Sequence, residues 1–125
     1  MSSPHRISVV LDCSDPDRLV PFWQEALGYP IVESLDGYRV LVPGKGSAVP
    51  MLILQPVPEP RAGKNRMHID IHSDDAPGFI ELLQGLGGQI LGDRIEAHGI
   101  WWQTMQDPEG NEFCVVADAG APTSN

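Results

Sequence analysis

The chain has 125 residues, 42% of them hydrophobic, and seventeen acidic side chains against eight basic ones give a formal net charge of −9. That length suits one domain able to bury roughly two thirds of the surface its unfolded chain exposes, and the charge repels phosphate backbones and anionic lipid, which argues against nucleic acid or a membrane as partner. No apolar run approaches the ~20 residues needed to span a bilayer and no basic, apolar leader is seen, so a soluble cytoplasmic protein is expected.

The first strand is predicted over Arg6-Ile7-Ser8-Val9-Val10-Leu11, with Ile7, Val9 and Leu11 on one face and Ser8, Val10 and Asp12 on the other. The following "SDPDRLVPFWQEALG" carries Leu19, Phe22, Trp23, Ala26 and Leu27 at helical spacing, with Asp15 as N-cap and Pro16 in the first turn. Pro21 removes one bond of that helix and is expected to bend it. Three strand-like runs follow, "YPIVESL", "YRVLV" and "PMLILQ".

An offset of 60 residues lays this pattern over a second copy, in which Arg66-Met67-His68-Ile69-Asp70-Ile71 matches the first strand. "SDDAPGFIELLQGLG" then reads as a helix with Phe79, Leu82, Leu83 and Leu86 on its buried stripe and Gly85, Gly87 and Gly88 as its stop. "QILGD", "IWWQTMQ" and "NEFCVV" complete the copy. The expectation is α+β: two βαβββ modules, over 5–57 and 66–118, forming a curved, cup-shaped mixed β-sheet with helices on its outer face. The proline-rich stretch 56–65 reads as a linker and 119–125 as a disordered tail.

Alternation gives the second module a polar face. His68, Asp70 and His72 oppose Met67, Ile69 and Ile71. "QDPEGNE" reads as a hairpin turn with Gly110 at positive φ; pairing Asp107 with Asn111 then sets Met105 opposite Phe113, Thr104 opposite Cys114 and Trp102 opposite Val116. Met105, Phe113, Val115 and Trp101 fall to the helix-covered core, while Trp102, Thr104, Glu112 and Cys114 share the concave side with His68. A half-polar concavity containing an indole is the kind of surface that takes a small molecule. His68 and His72 lie four residues apart, roughly 13 Å along a strand, too far to hold one ion between them. Cys13 and Cys114 form no CxxC pair and are expected as free thiols.

The double βαβββ layout, "LDCSDPDRLVPFWQEALGY" and "DPEGNEFCVV" resemble the glyoxalase, bleomycin-resistance and extradiol-dioxygenase superfamily, the vicinal oxygen chelate proteins, over about residues 5 to 118. The resemblance implies a homodimer and a site on the concave face. It also implies metal ligands, in the members that are metalloenzymes, from the first, fourth, fifth and last strands. Those positions fall here on Ser8, on Leu54 or Gln55, on His68 and on Cys114. Of these, His68 fits the usual ligand set and Cys114 suits a soft metal. No metal centre is therefore the primary expectation, and a divalent metal the alternative. The preferred function is binding of a small organic molecule, aromatic or cationic, through Ser8, Asp12, His68, Asp70, Trp102, Thr104, Glu112 and Cys114. The alternative is a glyoxalase-like lyase, isomerase or dioxygenase with an atypical metal site at His68, or with His68 as general base. A structural domain whose concavity is filled by side chains is the third reading.

Overall fold

Alternating apolar residues bounded by turn formers give short strands, and apolar residues at three- and four-residue spacing give helices. Both signals are realised in the computed structural model, which describes residues 7–44, 46–60, 62–63 and 67–117. These residues fall into two compact units that divide after Pro60.

The first unit runs β1 (Val9–Cys13), α1 (Pro16–Leu27), β2 (Ile31–Leu35), β3 (Tyr38–Val42) and β4 (Leu52–Pro56). Its sheet has the order β1-β4-β3-β2, with β1 and β4 parallel and the other pairs antiparallel. Asp15 is the N-cap of α1, but through its carbonyl, which accepts from Arg18 N at 3.1 Å; its side chain makes no capping bond. Leu19, Phe22, Trp23 and Ala26 are buried as the stripe predicted, with Phe22 and Trp23 edge to face at 5.3 Å. Pro21 lies on the exposed side, and the helix continues past it to Leu27.

The register of β1 against β4 sets Leu11 beside Leu54 and Asp12 beside Gln55. Leu54 is fully buried with Leu41 and Leu52, on the side that α1 covers. Gln55 therefore takes the opposite face with Asp12, which decides between the two fourth-strand candidates.

The second unit runs β5 (Ile69–Ser73), α2 (Ala76–Gly85), β6 (Gln89–Ile90), β7 (Ile95–Ala97), β8 (Ile100–Gln106) and β9 (Glu112–Ala117). Its five-stranded sheet has the order β5-β9-β8-β6, and the short β7 pairs with the start of β8. That strand was not anticipated. It arises because His98 and Gly99, both at positive φ, make a two-residue hairpin turn from Ala97 to Ile100.

The helix α2 buries Ala76, Pro77, Ile80 and Leu83. This corrects the predicted stripe: Leu82 is 45% exposed, and Phe79 and Leu86 are only half-buried. Ala76, Ile80 and Leu83 form a second apolar series at i, i+4 and i+7, and packing against β5, β6 and β9 selects it. Asp75 caps the helix, its Oδ1 accepting from Gly78 N at 3.2 Å. The helix ends at Gly85, and Gly88 N closes the end on Leu83 O at 2.9 Å.

The β8–β9 hairpin has the predicted register, from Gln106 opposite Glu112 to Trp102 opposite Val116. Asp107 N donates to Asn111 O at 2.8 Å, and Gly110 supplies the positive φ of 87°. Trp101, Met105, Phe113 and Val115 are buried, as is Gln103, whose Nε2 donates to Gly92 O and Thr104 O, each at 3.0 Å. The tail 119–125, and Arg6 and Arg66 of the predicted strands, lie outside the described residues.

Candidate functional site

Three strands of the second unit share one open face, because register places their alternate residues side by side. Asp70 is level with Cys114 across the parallel β5–β9 pair, and Cys114 with Thr104 across the antiparallel β9–β8 pair. Asp70, Cys114 and Thr104 therefore form one lateral row, with strands about 4.8 Å apart. A second row holds His72, Val116 and Trp102. Glu112 and Gln106 pair in a third row, and the same β5–β9 register taken one step back brings His68 level with Glu112.

Within this face His68 Nε2 lies 3.2 Å from Asp70 Oδ1, and a 3.5 Å hydrogen bond joins Thr104 Oγ1 and Cys114 Sγ. One donor atom each of His68, Asp70 and Cys114 lie within 4.8 Å of one another. The side chains of His68 and Asp70 are 46% and 50% exposed, whereas Cys114 is 6% exposed. A solvent-facing imidazole and carboxylate thus stand beside a buried sulfur. At that exposure the His68–Asp70 contact contributes at most about 1 kcal/mol to stability, so folding alone is a weak reason for it.

The structure brings His68, Asp70, Thr104 and Cys114 together and puts Trp102 and Glu112 half-buried on the same face. Ser8 and Asp12, both exposed, belong to the first unit, where Asp12 is level with Gln55. Asp70 stands in the middle of the three rows. Gln106 and Val116 share the face and were not singled out, although the alternation that selected Thr104 and Cys114 also selects them.

An ion held tetrahedrally at 2.0–2.3 Å spaces its ligand atoms by roughly 3.3–3.7 Å. His68 Nε2 and Asp70 Oδ1, 3.2 Å apart, come close to that spacing, and a donor atom of Cys114 lies within 4.8 Å of one from each of them. The expectation of no metal centre rested on His68 having too few companions; with Asp70 beside it, three protein donors converge, the number that catalytic zinc sites use. The residues present fit a divalent ion.

On the other side of the same sheet a shallow cavity of about 190 Å³ lies between α2 and β8, lined by Ile80, Gln84, Ile90 and Trp101 among others. The Arg94 guanidinium stacks over the Trp101 ring there at 4.5 Å.

Residues 8–116 match the family model described as "Glyoxalase-like domain". No curated protein matches the chain. Among solved structures, the chain is similar to a fosfomycin resistance protein from Listeria monocytogenes, with TM-score 0.74 and 16% identity over 96% of this chain and 97% of that one. A fosfomycin resistance protein from Mesorhizobium loti has TM-score 0.70 and 12% identity, over 95% and 96% of the two chains. A glyoxalase-related enzyme from Fulvimarina pelagi has TM-score 0.69 and 16% identity, over 98% and 100%. At such identities these likenesses show the fold.

Proposed function

Because the chain belongs to the glyoxalase-like domain family, we propose that it binds a small organic molecule on the open face of the β5–β9–β8 sheet. The observation that carries this reading is the lateral alignment of Asp70, Cys114 and Thr104, flanked by His68 and the half-buried Trp102. Trp102 offers an aromatic surface for a flat ligand or a cation, and Asp70 and Glu112 offer charge complementarity to a cation. Ser8 and Asp12 are also proposed as ligand contacts, on the first unit's own sheet, where Asp12 is level with Gln55. The chain's net charge of −9 favours encounter with a cationic ligand.

The reading includes a homodimer, as the family resemblance implies. It also includes a cytoplasmic location; among the described residues, no helix is long and apolar enough to cross a membrane.

Tryptophan fluorescence titrated with polycyclic and cationic compounds tests the reading. Fosfomycin joins the panel because two fold neighbours are fosfomycin resistance proteins. Saturable quenching that disappears in Trp102→Phe supports the site. Silence across the panel counts against it.

A second reading, a lyase, isomerase or dioxygenase of glyoxalase type, is favoured by the convergence of His68, Asp70 and Cys114. Those three residues would hold a divalent ion, which supplies Lewis-acid polarisation of a ligand oxygen when bound. Without an ion, His68 would serve as general base, with Asp70 3.2 Å from its imidazole to orient it.

A further inference from the structure

We infer that the second module by itself completes a site for a thiophilic divalent ion of the zinc class, with His68, Asp70 and Cys114 as its three protein ligands. The inference deepens the proposed function and rests on it only for what fills the fourth coordination position.

The family pattern draws one ligand from each of four strands, which here leaves only His68 and Cys114 as good donors. This chain supplies the missing donor differently. Asp70 follows His68 by two residues on the same strand, so both side chains project to one face, and register sets Asp70 level with Cys114. All three donors lie in one unit, within 4.8 Å of one another.

The donor types select the ion. An imidazole nitrogen, a carboxylate oxygen and a thiolate sulfur suit zinc or cobalt, whereas magnesium and calcium require shells of oxygen. A carboxylate and a thiolate together carry two negative charges, which match a divalent cation. As the sulfur–ion bond forms, the thiol proton leaves for solvent. The Thr104 hydroxyl, 3.5 Å from Cys114 Sγ, is placed to donate to the resulting thiolate and hold its rotamer. Three protein ligands leave a fourth position for water or for a donor atom of the small molecule.

The test is a cobalt(II) titration of the full chain, stripped of metal and kept reduced without added thiols. One cobalt per chain is expected, with a thiolate-to-cobalt charge-transfer band in the near ultraviolet and tetrahedral ligand-field bands in the visible. Zinc should displace the cobalt, and magnesium should leave the spectrum unchanged. Cys114→Ser should abolish the charge-transfer band, while Cys13→Ser retains it. Asp70→Asn, at an exposed position where misfolding is not a concern, should weaken cobalt binding by at least roughly tenfold.

Absence of the band in excess cobalt, its persistence in Cys114→Ser, or unchanged affinity in Asp70→Asn would overturn the inference. Running the compound panel with and without zinc separates the two proposals. Compound binding with no cobalt spectrum would overturn the ion site and leave small-molecule binding standing. Cobalt binding with silence from every compound would support the ion site and count against the proposed function.

Discussion

Replacing Asp107 by alanine should unfasten the hairpin that aligns Thr104 with Cys114. The Asp107 carboxylate is 2% exposed and takes three donors: Glu109 N and Asn111 N at 2.9 Å on Oδ1, and Asn111 Nδ2 at 2.9 Å on Oδ2. Asn111 is itself 6% exposed, so in Asp107→Ala two of its donors lose their partner where water reaches poorly. Glu109 lies in a half-exposed turn, and its amide can turn to solvent. At about 1.5 kcal/mol for each of the two buried donors, the loss is about 3 kcal/mol. For a domain of this size that lowers the melting temperature by about 10 °C. Asp107→Asn retains an oxygen acceptor but sets its amide against that of Asn111, so about half the loss is expected. Urea unfolding followed by tryptophan fluorescence, with the slope unchanged between variants, reads the difference. A loss below about 1 kcal/mol in Asp107→Ala would refute the assignment of the hairpin register to this carboxylate.

Two further outcomes follow from particular contacts. Leu83→Ala, at a fully buried position, should cost about 2–5 kcal/mol, whereas Leu82→Ala, at a 45% exposed one, should cost less than about 1 kcal/mol; equal losses in thermal melts would contradict the stripe seen on α2. Tyr29 donates from its hydroxyl to Pro50 O at 2.7 Å, and burial raises its pKa above the ordinary 10.0. Above that pH the unfolded chain gives up the phenolic proton while the folded chain keeps it, so stability falls as pH rises toward the folded value. Tyr29→Phe should lose this dependence in urea titrations above pH 10; an identical slope in both proteins would contradict it.

The two-module architecture was legible because it rests on local chemistry repeated at an offset of 60 residues: alternation, a capped helix, a glycine stop. The β8–β9 register was legible for a similar reason, since Asp107, Pro108 and Gly110 fix the turn and the turn fixes every pair behind it. The stripe on α2 was not. Phe79, Leu82 and Leu86 compete with Ala76 and Ile80 on a helix that is apolar most of the way round, and tertiary packing chooses between them. Leu54 and Gln55 could not be separated from sequence because a single gap reverses which of them faces inward, and only pairing with β1 settles it. Asp70 was read on the correct face but not as a companion of His68. The family pattern takes one ligand per strand, whereas Asp70 lies two residues from His68 along the same strand. Gln103 was hidden by its polarity: it alternates with Trp101 and Met105 and is buried with them, anchoring Gly92 through its amide.

Amide chemical-shift mapping with the tightest compound of the panel tests most directly where the ligand binds. If the open face of the second sheet is the site, perturbations concentrate at Asp70, Trp102, Thr104 and Cys114 and vanish in Trp102→Phe. Perturbations concentrated instead at Ile80, Gln84 and Arg94, in the cavity against α2, would place the site on the opposite side of the sheet and contradict binding on the open face.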